Sequence, residues 1–358
     1  MNKNRFVYLD LIRLIACSLV VLVHVSAQRI ETLPVTGVDF AITHAYNCLA
    51  FSGVALFVMI SGALALSPEK ETDLKTLLLQ KTLRFFLLYY IWKAVYQVVS
   101  ILEKGENLTF SSVKEDVLLA LIQQRGYYHL WYLPMIAVLY MAVPLIKKSV
   151  AQKSVCRYFL CVFFITALLF PTLFHYEFKF KYLFVDFFAA NDFSFFGGYL
   201  GYFILGHYLH NWRSDISSAG RRALYAAGAG FFALACVLGN LASRREGQPS
   251  YIMNTPFVVM SFFVVTAIFV AGNGLGKKWE NKERLCKMLR RAADCTLGIY
   301  LLHPLAISLF SFAGFDTSVC SPLFSIPLLV ICVMLLCGTV SFMGLKVKKL
   351  SGRLLQKF

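Results

Sequence analysis

Repeated apolar runs, each about 18–25 residues long, dominate the chain. A helix of that length matches the ~30 Å hydrocarbon core of a bilayer. Of the 358 residues, 58% are hydrophobic and only 15% are charged, which leaves too few charged side chains to cover a water-facing surface. The pattern therefore predicts an all-α integral membrane protein.

Ten of these runs are candidate membrane spans. They are Phe6–Ala27, Ala45–Leu66, Thr82–Leu102, His129–Ile146, Cys156–Phe174, Phe193–His210, Ala223–Ala242, Ile252–Gly272, Ala293–Phe312 and Leu323–Leu345. Cytoplasmic loops are enriched in Lys and Arg, and an inside N-terminus puts 25 of the 35 such residues on the inner side and eight on the outer side. We expect about ten helices around a polar cavity, with both termini cytoplasmic. Residues 1–358 would form a single transmembrane domain with no separate soluble domain.

Charge and cysteine content exclude several function classes. A net charge of +16 suggests nucleic acid in a soluble protein, but here the cations sit in alternate loops, so we expect a lipid bilayer as partner and no nucleic acid. The ten Cys form no C-x-x-C pair and lie mostly in apolar runs, which favours buried small residues over disulfides or a metal site. Asp10 and Arg13 interrupt the first apolar run, which favours a retained helix over a cleaved signal peptide.

The first span carries three ionisable residues, Asp10, Arg13 and His24, and such residues are costly inside a membrane. Asp10 and Arg13 are spaced to pair on one helix face. Eleven residues separate Arg13 from His24, or three turns plus about 20°, so both project from one face about 16 Å apart. This arrangement suits a long donor such as coenzyme A, with its anionic end at Arg13 and its thioester near an imidazole base. The alternative is that Arg13 snorkels to the interface and His24 makes a structural hydrogen bond.

Arg13, ten residues and then His24 resemble the R-x10-H signature of the acyltransferase-3 family of integral membrane acyltransferases. Further segments resemble the family in order: Phe57–Leu66, Lys81–Lys93, His129–Ile146, Gly201–Leu209 and Thr296–Leu305. The resemblance spans nearly the whole chain. Stand-alone relatives of this length O-acetylate surface polysaccharides or their lipid-linked precursors. The resemblance thus implies an O-acyltransferase in the bacterial cytoplasmic (inner) membrane, with a glycan or lipid-linked saccharide as acceptor.

The resemblance also implies residue roles. The donor would be acetyl-CoA, used as a co-substrate with no permanently bound cofactor. Arg13 would help bind this acyl-CoA and His24 would be the catalytic base. Lys81 and Arg84 fall where relatives carry a basic pair that could contact coenzyme A phosphates, although membrane anchoring explains them equally well. Lys81 replaces an Arg that is common in relatives, which weakens the case for bidentate phosphate recognition.

Weaker candidates lie elsewhere in the predicted spans. His303, which precedes a proline near mid-membrane, either lines the cavity or is structural. His129 and Trp131 sit at an outer helix end where an acceptor sugar could stack, and an aromatic belt explains Trp131 as well. Ser61 and Asn47 either pack closely or hydrogen-bond, with packing favoured. Outside the spans, residues 111–124 predict an amphipathic helix on the outer face.

Two other functions fit a polytopic chain with a polar cavity. One is a transporter or flippase for a polysaccharide or lipid-linked sugar. The sequence shows no visible repeats and no Gly/Pro-broken helix pairs, which argues against this function. The other is a sensing or anchoring module, like the membrane part of vancomycin-resistance serine racemases, which belongs to the same family. Release of free coenzyme A would distinguish an enzyme from both.

Overall fold

The computed structural model describes residues 5–68, 73–103, 127–176, 181–190 and 197–355, and over these residues the protein is helical, with no β-strand. The helices are α1 Val7–Ile30, α2 Val38–Ala50, α3 Ser52–Ala65, α4 Leu83–Glu103, α5 Tyr132–Val150, α6 Lys153–Phe163, α7 Phe170–Phe174, α8 Lys181–Ala190, α9 Tyr199–Asn211, α10 Ser218–Glu246, α11 Val259–Trp279, α12 Glu283–Asp294, α13 Thr296–Phe312 and α14 Pro322–Leu355. π-Helical segments at Thr76–Thr82 and Phe164–Leu169 lead into α4 and α7. The chain forms two compact units, one of residues 1–63 and 157–358 and one of residues 64–156.

The first unit is built around α1. This helix contacts α2, α11, α12, α13 and α14. A helix that is apolar around most of its circumference is stable only when it is surrounded, and α1 meets that condition. Around it, α10 packs on α2 and α11, and α13 packs on α14.

Glycines allow α11 to approach α1 closely. A Cβ atom at Gly276 would lie 2.6 Å from the Cα of Tyr8, and one at Gly272 would lie 2.6 Å from Cγ1 of Ile12. Two glycines four residues apart form one small-residue face, which is a common way for membrane helices to bring their backbones together. The spacing of Gly272 and Gly276 therefore fixes where α11 crosses the N-terminal half of α1.

The second unit packs α4, α5 and the π-helical segment Thr76–Thr82 against one another. Several large apolar side chains of this unit are exposed, among them Leu87, Ile91, Val138 and Leu145. Exposed apolar surface on this scale is unusual for a soluble protein and fits contact with lipid chains.

Eight of the ten predicted spans correspond to helices, or to continuous helix pairs, that are long and apolar enough to cross a bilayer. The run Ala293–Phe312 qualifies only when α12 and α13, which meet at a 56° bend, are taken together. The run Phe193–His210 yields α9, whose 13 residues rise only about 20 Å. Ten spans, the cytoplasmic termini, the single domain and the central cavity therefore stay predictions. The predicted amphipathic helix at 111–124 lies outside the described residues.

One predicted boundary differs from the structure for a local reason. The run predicted from Ile252 becomes helical only at Val259, where α11 begins. Pro256 lacks an N–H and disfavours helix in the residue before it, so the chain stays irregular through this stretch.

We expect Gly276→Ala to lower the free energy of unfolding by about 1–3 kcal/mol, because the new methyl group meets the backbone of Tyr8. Gly274→Ala is the matched control on the same helix: no atom lies within 4 Å of its added Cβ. It should be neutral or stabilising by up to about 1 kcal/mol through helix propensity. Thermal unfolding of purified protein in detergent, followed by tryptophan fluorescence, measures both. Equal effects of the two substitutions would contradict the close approach.

Candidate functional site

A buried carboxylate organises the N-terminal end of α1. The side chain of Asp10 is 2% exposed, and Arg5 binds it in bidentate fashion, with Nε 2.8 Å from Oδ2 and Nη2 2.8 Å from Oδ1. Arg13 Nη1 lies 3.3 Å from the same Oδ1, which confirms the expected pairing of Asp10 with Arg13. Sequence reasoning missed Arg5, because it precedes the first helix and has no helical spacing to Asp10.

Arg5 also ties α1 to α12. Its Nη1 lies 2.8 Å from Oδ1 of Asp294, and its Nη2 donates to the carbonyl oxygen of Arg290 at 3.2 Å. The hydrogen bond to Asp10 raises the pKa of Arg5 above its ordinary value, so the guanidinium stays charged. Arg5 thus supplies most of the charge compensation for Asp10. Arg13, 26% exposed, makes a single long contact and meets no other acceptor among the described residues.

We expect Arg5→Ala to lower the free energy of unfolding by about 1–3 kcal/mol, because it leaves the Asp10 carboxylate buried with one weak partner. Arg13→Ala keeps the bidentate pair and should cost less than about 1 kcal/mol. Thermal unfolding of the two variants side by side measures the difference. A larger loss in Arg13→Ala would mean that the two arginines have the opposite roles.

At the other end of the predicted stripe, His24 of α1 stacks on His303 of α13. The ring centroids are 5.1 Å apart and the ring planes are inclined by 25°. His303 is fully buried, whereas His24 is partly exposed. The structure thus brings together two candidates that the sequence could only name separately, and it leaves His24 as the more accessible ring.

A proline fixes the tautomer of His303. In α13, Pro304 has no N–H to donate to the carbonyl of Tyr300, four residues earlier. Nδ1 of His303 lies 2.7 Å from that carbonyl oxygen and takes the place of the missing donor. A carbonyl oxygen only accepts, so Nδ1 carries the proton, and Nε2 of the neutral ring carries the lone pair.

The face of α1 between Arg13 and His24 is packed. Cys17, Val20 and Val21 all lie on this face and are buried, and Sγ of Cys17 lies 3.7 Å from the carbonyl oxygen of Thr296. Arg13 and His24 therefore mark the two ends of a packed helix face. Residues along its middle do not form a continuous polar groove.

A buried hydrogen-bond network reaches α1 at Ser26, two residues after His24. Nδ2 of Asn47 donates to the Ser26 hydroxyl at 2.9 Å, and Nδ2 of Asn254 donates to Oδ1 of Asn47 at 2.7 Å. The Cys48 thiol donates to Oδ1 of Asn254 at 3.1 Å. Asn47 thus both donates and accepts hydrogen bonds, whereas its sequence context favours a packing role. The network holds α2 and the segment before α11 against the part of α1 that bears His24.

Ser61 is occupied within its own helix. Its hydroxyl donates to the carbonyl oxygen of Phe57 at 3.0 Å, the usual arrangement for a serine inside a helix. The next residue, Gly62, meets the backbone of Phe203 on α9, where an added Cβ would collide. Ser61 is thus next to the residue that makes the α3–α9 contact, and its hydroxyl donor is used inside α3.

In the second unit, Lys81 lies in the π-helical segment Thr76–Thr82, and Arg84 lies in the first turn of α4. Nζ of Lys81 is 4.9 Å from the ring centroid of Tyr140, and Arg84 is exposed. Lys93, farther along α4, is only 3% exposed, with Nζ 5.4 Å from the Tyr89 ring centroid. Sequence reasoning assigned Lys93 no role, although a lysine inside an apolar run is a functional candidate by its cost alone.

His129 lies in an aromatic cluster of the second unit. The ring is 2% exposed, and Tyr96 meets it edge to face at 4.9 Å. Tyr127 stacks on Tyr96 at 4.3 Å, so the three rings form one continuous group. Trp131 is 45% exposed beside this cluster, which suits either a stacking surface or contact with lipid headgroups.

The helices and their buried ionisable residues define a multi-pass membrane protein whose polar side chains gather at the two ends of a central helix. The chain belongs to the acyltransferase-3 family: the family's sequence model, described as an acyltransferase domain, matches residues 6–343, nearly the whole chain. No curated protein and no solved structure is significantly similar to it. Family membership supports acyl transfer at a membrane as the activity class.

Proposed function

We propose that this chain is a membrane O-acyltransferase that moves an acetyl group from cytosolic acetyl-CoA to a hydroxyl of a cell-surface glycan or lipid-linked saccharide. It would act in the bacterial cytoplasmic (inner) membrane. The observation that carries the proposal, within an acyltransferase family, is the pair of His24 and His303, in which the buried ring of His303 holds one tautomer and the ring of His24 is partly exposed. A neutral imidazole is the usual base for activating a hydroxyl near neutral pH.

In this mechanism His24 accepts the proton of the acceptor hydroxyl as the oxygen attacks the thioester carbonyl. The carbon–sulfur bond then breaks, and the coenzyme A thiolate takes the proton from the His24 imidazolium. Because the neutral His303 ring lies against the face of His24, its π-system stabilises the transient positive charge. Arg13 holds an anionic part of the donor with the N–H groups that Asp10 does not use.

A covalent relay is the second form of the same proposal. Here His24 attacks the thioester itself, carries the acyl group, and passes it to the acceptor. Rapid quenching during turnover, followed by peptide mass spectrometry, separates the two forms. An acetylated His24 peptide supports the relay, and its absence at every quench time supports direct proton transfer.

We expect purified wild-type protein to release free coenzyme A from acetyl-CoA when a crude lipid-linked glycan extract is present. His24→Ala should lose about 10²–10⁴-fold in this rate, because it removes the base. His175→Ala, which changes an exposed histidine, is the matched control and should retain the rate. A folded wild type that neither turns over nor binds acetyl-CoA across several extracts would refute the enzyme and favour the transporter or flippase.

We expect Arg13→Ala to raise the KM for acetyl-CoA about tenfold or more, with kcat changed less, because a charge-assisted contact to the donor is lost. Arg13→Lys keeps the charge without the guanidinium fork and should lie between wild type and Arg13→Ala. Initial rates over a range of acetyl-CoA concentrations measure this. An unchanged KM in Arg13→Ala would remove Arg13 from the donor site.

His303 is a positioning residue in this proposal. We expect His303→Gln to lower kcat while leaving the KM for acetyl-CoA near its wild-type value, because the donor contact at Arg13 stays intact. The same substitution should move the pH dependence of kcat, since the ring that faces His24 is gone. A lower kcat with an unchanged pH profile would indicate a purely structural role for His303.

A further inference from the structure

A cavity of about 580 Å³ opens at the end of the first unit where α9 ends and α10 begins, beside the last turns of α11. Its lining consists of Leu209, Arg213, Ser214, Arg221, Tyr225, Phe269, Val270, Ala271, Asn273, Gly274, Leu275, Lys277 and Lys278. This volume is within the range of natural small-molecule sites. Neither Arg13 nor His24 lines the cavity, so it is separate from the residues proposed to carry the chemistry.

The charge of the lining is entirely positive. It includes two arginines and two lysines but no carboxylate. None of the four forms an ion pair with a described residue; Arg221 instead donates to the carbonyl oxygen of Ile216 at 2.7 Å. Four uncompensated cations around one cavity repel one another, and an anion in the cavity would remove that repulsion.

Two buried donors in the lining lack an acceptor. Asn273 is 8% exposed, and its Nδ2 donates to no atom of the described residues with good geometry. Nη1 of Arg213 is also buried and donates to no atom of the described residues with good geometry. Both side chains interact with the Tyr8 hydroxyl, but that oxygen is already hydrogen-bonded to His210 and gives these two N–H groups no well-placed acceptor. Buried donors without acceptors are rare in native proteins and usually indicate a missing partner, here one that accepts hydrogen bonds.

The remaining wall is apolar and aromatic. Leu209, Phe269 and Val270 are buried, and Tyr225 is 38% exposed. Such a wall suits a ligand whose anion is attached to a ring or to an acyl chain. Phosphate groups match the cations best, because arginine binds them in bidentate fashion and lysine binds them as a point charge.

We propose that this cavity binds the phosphate group of a ligand that also carries an aromatic or apolar moiety. Two sources share this chemistry: the phosphates of a nucleotide such as coenzyme A, and the headgroup of an anionic phospholipid. The first source rests on the proposed function, while the second does not. The cavity adjoins α1, since the Arg213 guanidinium lies 5.2 Å from the ring centroid of Tyr8.

The test compares two double variants that remove the same charge. Arg221→Gln with Lys277→Gln changes the lining of the cavity. Arg222→Gln with Lys282→Gln is the matched control, because both residues are exposed neighbours that do not line it. Coenzyme A binding is measured by titration calorimetry in detergent, and retention of phosphatidylglycerol is measured by native mass spectrometry after release from nanodiscs.

We expect the cavity variant to lose about tenfold or more in affinity for one of these probes, with the control near wild type. A loss confined to coenzyme A assigns the nucleotide source, and a loss confined to phosphatidylglycerol assigns the lipid source. Arg221→Lys with Lys277→Arg keeps the charge and should retain binding, which separates a binding defect from misfolding. Equal behaviour of the cavity and control variants toward both probes would overturn the proposal.

Asn273→Asp provides a further check, since it puts a carboxylate where the unpartnered amide lies. It should weaken binding of the same probe as the double variant. The outcomes also separate this inference from the proposed function. If His24→Ala loses turnover while the cavity variants bind both probes as wild type does, only the proposed phosphate binding in the cavity is refuted. If the wild type shows no turnover while the cavity variant retains less phosphatidylglycerol, only the proposed acyltransferase activity is refuted.

Discussion

The buried carboxylate of Asp10 is the constraint on which the arrangement of the first unit depends. A charge removed from water must be paired and hydrogen-bonded, and Asp10 obtains both from Arg5. Arg5 in turn holds Asp294, the last residue of α12, and only Cys295 separates that residue from α13. The ionic cluster thus fixes the end of α12 beside the start of α1, and α13 begins against the middle of α1, where Thr296 meets Cys17. His303 lies two helical turns beyond Thr296, and His24 lies two turns beyond Cys17, so the contact between Cys17 and Thr296 places the two histidines side by side.

Much of this could be predicted from helical spacing and run length. The pairing of Asp10 with Arg13 follows from a separation of three residues, and eight spans follow from their apolar length. Arg5 could not be found in this way, because its contacts with Asp10, Arg290 and Asp294 depend on how α1 and α12 pack. The same holds for the contact between His24 and His303. Spacing places each histidine on a helix face, but only the packing of α13 on α1 shows which faces meet.

The two units stabilise buried polar side chains by different means. In the first unit, ion pairs and amide hydrogen bonds satisfy Asp10 and Asn47. In the second unit, aromatic rings lie against the buried polar groups: Tyr89 lies beside Lys93, and Tyr96 and Tyr127 meet at His129. Aromatic faces attract cations and still present apolar edges to a membrane. The sequence shows where the aromatic residues lie, but not which rings contact which polar side chains.

The adjacency of His303 and Pro304 has a consequence for how this chain tolerates change. A substitution at 304 that restores the backbone N–H would give the Tyr300 carbonyl a second donor, and the imidazole would then be released to exchange its proton between the two nitrogens. The ring would remain in place, yet its lone pair would no longer be assigned to one nitrogen. Pro304 has no titratable group itself, but it keeps the proton of His303 on Nδ1. The backbone of residue 304 thus determines which nitrogen of residue 303 carries the proton.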